Sequence, residues 1–172
     1  MRLPSLLPIT VVAVTALVSP DVSVAGPTTP AQAGCRQCDE VVDRVVRLLP
    51  ARPDAIVVID ADRSTPALRQ ATEHFEAFVT EGQPTVYLRK QGPIFRRALQ
   101  GPSFWDYALA CTVWHEMAHI SGADEQEAQR REEQLWTQFV VSRRVDADHG
   151  LWYLQRLRKR HAEQTRVTSE RD

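Results

Sequence analysis

"FWDYALACTVWHEMAHI", residues 104–120, is the stretch on which the fold turns. Up to residue 115 it is apolar on nearly every side. A helix of that kind has to be covered all round, so it belongs at the centre of its domain. Ser103 precedes it as an N-cap, and Asp106 completes a short-armed capping box. Then polar residues arrive: His115, Glu116 and His119. Residues four apart share one helix face, so both imidazoles can aim at one point, about 2.0–2.1 Å from a zinc ion. Glu116, one step round, is poorly placed as a ligand but can reach water on the ion's open side. Three such side chains are costly in an apolar helix unless they are satisfied. The pattern predicts a Zn2+ site for hydrolysis, with zinc acidifying water to a pKa of roughly 7 and Glu116 as general base.

Downstream, "SGAD" (121–124) breaks the helix and "EQEAQRREEQLWTQFVV" (125–141) starts another. So short a break predicts an antiparallel helical hairpin. A third protein ligand is needed to leave one open position. Asp124, Glu125, Glu127, Glu132, Glu133 and His149 are the candidates. Ala128, Leu135, Trp136 and Phe139 form the apolar face of the second helix. Glu125 and Glu132 fall on that face, whereas Glu127 and Glu133 fall off it and suit surface pairs with Arg130 or Arg131. A tight turn brings Glu125 to His119 and leaves Glu132 to orient a histidine. A wider turn gives the metal to Glu132. The last helix, "HGLWYLQRLRKRH" (149–161), is expected to pack through Leu151, Leu154 and Leu157, with a solvated basic end. His149, Tyr153 and Arg144 are candidates for stabilising an oxyanion opposite Glu116.

Upstream, "CDEVVDRVVRLLP" reads as a helix, with Asp39 near its start and Pro50 ending it. "AIVVID" (55–60) is a β-branched run and reads as a buried strand. "STPALRQATEHFEAFV" predicts a helix capped by Thr65 and Pro66, with Leu68, Ala71, Phe75, Phe78 and Val79 on one face. His74, on its flank, reads as solvated or structural. "PTVYLRK" (84–90) is a second strand, parallel to the first if a crossover joins them. "QGPIFRRALQGPS", with two Gly-Pro pairs, reads as mostly loop. The order gives an α+β class.

The chain has 172 residues, 43% of them hydrophobic, and a net charge of −1, which suits one domain and does not favour nucleic acid. Arg supplies almost all the positive charge, a composition typical of GC-rich bacterial genomes. Arg2 and the run "LLPITVVAVTALV", ending at "SVA" (23–25), read as a signal peptide over residues 1–25. Residues 26–34 are expected to be a disordered leader, 35–162 one domain and 163–172 a disordered tail. The protein is thus expected to be exported to a periplasmic or extracellular space, without stable membrane insertion, and to act as a monomer. Export places Cys35, Cys38 and Cys111 in an oxidising compartment. A bridge from Cys35 or Cys38 to Cys111 is the expectation, ahead of a redox pair in "CRQC" or a cysteine capping the metal.

"HEMAH" followed by a glutamate-bearing helix resembles the zincin metallopeptidases, the gluzincin branch in particular. "EQEAQ" (125–129) is similar to the Glu-x-x-Ala-Asp/Asn pattern of that branch, whose first glutamate binds zinc; the resemblance implies Glu125. "HEMAHISGADE" also resembles the metzincin consensus, with Glu125 at its last histidine, but no Met-turn accompanies it. The likeness covers about 30 residues. It implies a zinc-dependent peptidase acting on peptide or protein. It also implies a small sheet over the motif helix, with "TVYLR" as the edge strand that holds extended substrate. The alternative from the residues is a non-catalytic exported helical protein with a structural zinc or none; a structural site has no use for Glu116.

Overall fold

The structure, a computed structural model, describes residues 35–169 apart from His74, and only the backbone of 67, 68, 71 and 163–169. The expected signal peptide, the leader, the last three residues and the apolar positions Leu68 and Ala71 lie outside the described residues or side chains. The elements run α1 (Arg36–Val46), β1 (Ala55–Ile59), a 3-10 turn (Ala61–Arg63), α2 (Pro66–Thr72), β2 (Ala77–Val79) and β3 (Thr85–Arg89). Then come α3 (Pro93–Ala98), α4 (Phe104–Ile120), α5 (Glu125–Val141) and α6 (Ala147–Ser169). The architecture is α+β.

α4 is the axis. Its capping box is complete: the Ser103 side chain accepts from the first turn, and Asp106 accepts from the Ser103 amide at 3.2 Å. Asp106 also receives Arg44 of α1 in a two-pronged pair at 3.0 and 3.1 Å, and Arg44 reaches on to the Ala98 carbonyl at 2.7 Å. One buried carboxylate therefore ties α1, α3 and α4 together, offsetting its desolvation with charge-assisted bonds. Leu109, Cys111 and Val113 are fully buried, and α1, α3, α5, β2 and β3 all pack on α4.

The sheet has strand order β1-β3-β2. β1 and β3 are parallel, Ala55 opposite Thr85 through Ile59 opposite Arg89, and β2 joins β3 antiparallel. The "TVYLR" strand is therefore central, not the edge that the resemblance implied. Val86 and Leu88 point into the core. On the other face, Tyr87 stacks on Phe78 with ring centroids 5.1 Å apart. That pairing also corrects the helix expected over 65–79. The helix ends at Thr72, and 77–79 is a strand, because its aromatic and β-branched residues gain a partner on β3 that no local periodicity reveals. Phe75, placed on the helix's apolar face, is 52% exposed.

The expected loop at 91–103 contains α3, in which Pro93 stands in the first turn, and Phe95 and Ala98 are fully buried. Proline breaks the interior of a helix, yet at this first-turn position its missing N–H costs nothing. α6 packs through Gly150, Tyr153, Leu157 and His161. Leu151, expected inward, is 59% exposed. A Cβ on Gly150 would meet Val140 Cγ2 at 2.5 Å, and its carbonyl accepts from Trp136 Nε1 at 2.9 Å, so α5 and α6 touch there. The expected domain end at residue 162 falls within α6, which continues to Ser169.

The cysteines pair differently from the expectation. Cys35 and Cys38 are bridged, with Cα atoms 5.2 Å apart, while Cys111 is a free, buried thiol. Three residues of separation across the first turn of α1 bring the two sulfurs together locally. Cys111 lies in the middle of α4, where burial and the Glu132 charge push its pKa well up. The bridge also leaves neither N-terminal thiol to cap a metal.

Candidate metal centre

The break between α4 and α5 sets the geometry. Gly122 takes φ +85°, the left-handed conformation that favours glycine. Around it the Ala123 amide reaches back to the Ala118 carbonyl at 3.0 Å and the Gly122 amide to His119 at 2.9 Å. This is a Schellman closure. Asp124 then caps α5, accepting from the Glu127 amide at 2.8 Å. So tight a turn brings the first residue of α5 level with the last turn of α4.

His115, His119 and Glu125 converge there. His119 Nε2 is 3.2 Å from His115 Nε2 and 3.2 Å from Glu125 Oε2, and His115 Nε2 is 3.6 Å from the same oxygen. Ligands at 2.0–2.1 Å on a tetrahedral zinc would stand about 3.3–3.4 Å apart. The three observed edges bracket that length.

The outward atoms are held as well. His119 Nδ1 donates to the Ala123 carbonyl at 3.0 Å, so the turn that brings Glu125 in also orients His119. His115 Nδ1 lies 3.2 Å from Glu132 Oε2, an ion-pair approach whose angle falls short of a good hydrogen bond. Gln129 donates to Glu125 Oε1 at 2.8 Å, leaving Oε2 to face the histidines. Glu132 is fully buried. Its two oxygens both accept from the single nitrogen Arg160 Nη2, at 2.8 and 2.9 Å, and it approaches His161 Nε2 at 3.4 Å.

Three electron-pair donors facing one point repel unless a cation or proton lies among them. Burial alone would lower His115, but the Glu125 and Glu132 carboxylates beside its two ring nitrogens raise it to about 9. His115 lowers Glu125 to about 2, against burial. Burial pushes Glu132 upward, yet His115, His161 and Arg160 outweigh it and lower it to about 2. Desolvation raises Glu116, against the pull of His115 and His119. Two imidazoles and a carboxylate with a fixed outer shell form a donor set that fits zinc.

The other sequence candidates lie elsewhere. His149 pairs with Asp146 at 2.6 Å and sits 5.4 Å from the Phe104 ring, at the opposite end of α4. Eleven residues separate Phe104 from His115, about 16 Å of helix. Arg144 is exposed in the turn after α5, at that same far end. Tyr153 is core, 4.3 Å from the Trp136 ring, and burial raises its hydroxyl well above the usual value. None of the three stands with the histidines as an oxyanion donor. Glu127 bonds Arg130 and Arg131, and Glu133 bonds Arg158. Arg160 and His161, expected at a solvated helix end, instead reach Glu132. Their signal was phase: His161 lies four residues beyond buried Leu157. No family model, no curated protein and no solved structure matches the chain.

Proposed function

We propose that this chain is an exported zinc-dependent metallopeptidase. The observation that carries the reading is the convergence of His115 Nε2, His119 Nε2 and Glu125 Oε2 at the edge lengths of a tetrahedral site. His115, His119 and Glu125 would hold the ion. Zinc would supply Lewis acidity, acidifying water and polarising a carbonyl. Glu116, next in sequence to a ligand and shifted upward by burial, suits a general base that takes a proton and returns it to the leaving amine. The Ala123 carbonyl keeps His119 in the tautomer that presents Nε2 inward, and the Glu132 charge beside His115 Nδ1 favours the same tautomer there. β2 is an edge strand packed on α4, and we place extended substrate along its open side. The Cys35–Cys38 bridge supports an oxidising compartment.

The test is metal content and peptide cleavage by the mature chain, with and without a chelator. Glu116→Gln should keep stoichiometric zinc and lose turnover by about 10²–10⁴-fold or more. Unchanged turnover in that variant would remove the base assignment. Bound zinc with no cleavage of any peptide would favour the non-catalytic alternative.

A further inference from the structure

A cleft of about 520 Å³ opens between α3, the first turn of α4 and α6. Its walls carry Arg97, Arg156, Lys159 and Arg160 against one carboxylate, Glu76. The whole chain has a net charge of −1, so this excess is local. Arg160 is committed to Glu132, and Glu76 caps α3 by accepting from the Ile94 amide at 3.3 Å. Arg97 and Arg156 meet no carboxylate among the described residues. Each instead lies on an indole: Arg97 is 4.3 Å from the Trp105 ring and Arg156 is 5.0 Å from Trp152. The two indoles meet edge to face at 6.2 Å. Stacking orders a guanidinium plane while leaving its N–H edge for a ligand. Trp152 remains 41% exposed. The volume is in the range of small-molecule sites, and concave low-dielectric walls focus a positive field.

We propose that this cleft binds a small multivalent oxyanion, a dicarboxylate or a phosphate compound, gripped by Arg97 and Arg156 with its carbon part against Trp152. The gripping residues stand apart from the metal centre, and the one link is Arg160, which lines the cleft and pairs with Glu132. Trp105 and His115 are ten residues apart on α4, about 15 Å. Charge-assisted bonds from two ordered guanidinium forks make each arginine worth a substantial share of the affinity.

The experiment titrates the mature chain at low salt with inorganic phosphate and, separately, with succinate, read by tryptophan fluorescence and calorimetry. The expected result is one saturable site per chain for at least one probe, weakened tenfold or more by Arg97→Ala and by Arg156→Ala. Arg156→Lys should recover part of the loss. Which probe saturates tells phosphate from carboxylate. His119→Ala, which disables the metal centre, should leave binding unchanged, so the two readings stand or fall separately. No saturation of either probe below about 10 mM would overturn the proposal. So would affinity indifferent to both arginine substitutions, or affinity lost with His119.

Discussion

Replacing Glu132 by Gln should separate the metal ligands from the groups that hold them. The substitution keeps the shape of a fully buried side chain and removes its charge. Arg160 loses the charge-assisted character of two contacts at 2.8 and 2.9 Å, and His115 Nδ1 loses its carboxylate at 3.2 Å. Disturbing a partner of a metal-binding histidine costs about 10–100-fold in affinity, or about 1.4–2.8 kcal/mol. Breaking a fully buried ion pair costs about 3–5 kcal/mol of stability. The Arg160 side chain is 39% exposed, so water takes part and a loss of about 1–3 kcal/mol is expected. Glu125→Gln should behave in the opposite way. Its side chain is 49% exposed, so metal-free stability should fall by less than about 1 kcal/mol. As a ligand, however, it should cost far more zinc affinity than Glu132. The assays are chelator competition for zinc and thermal melting of the metal-free protein. If Glu132→Gln strips the metal while Glu125→Gln retains it, the ligand assignment is reversed. If neither changes affinity, the centre is not a zinc site. If Glu132→Gln melts like the parent, the buried network does not hold α5 to α6.

Metal-free His115 is raised from 6.5 to about 9. A raised histidine stabilises the fold fully below 6.5 and progressively less as pH rises through 9, so the metal-free melting temperature should fall across that window. Zinc binding at pH 7 should release about one proton, measured by calorimetry in buffers of different ionisation heat; no release would contradict a protonated His115. Alkylation of the unfolded, unreduced mature chain should label Cys111 alone, with Cys35 and Cys38 labelled only after reduction, as read by peptide mass spectrometry. Gly150→Ala should destabilise by about 1–3 kcal/mol in denaturant melts through its clash with Val140; an unchanged midpoint would mean that α6 can shift.

Where contacts are local, the sequence was a good guide. The Ser103 box, the run of α4, the break at Gly122 and the inward phase of Glu132 all depend on neighbours within a turn or two. Period and capping chemistry therefore specify them. What escaped depended on partners far along the chain. Residues 77–79 suit either a helix face or a strand until β3 lies beside them. The cysteine pairing was drawn toward a long-range bridge, although three residues of separation at a helix start already suffice for a local one. α3 hides behind its proline, which forbids a helix interior but is permitted in a first turn.

α6 shows the same limit in the part that matters most to the site. Its leucines suggested one inward face, but Leu151 is outside and the buried line runs through Gly150, Tyr153, Leu157 and His161. A glycine cannot advertise itself by hydropathy, yet here it sets how closely α6 approaches α5. That approach brings Arg160 to Glu132. Arg160 joins His115 and His161 in keeping that fully buried carboxylate ionised, and a protonated Glu132 would lose its charge toward His115. The orientation of a histidine on α4 thus depends on a close helix contact near the start of α6, about 15 Å away by ten residues of helix. The paired histidines are legible in five letters, while the arginine that keeps their support charged is legible only once the helices are packed.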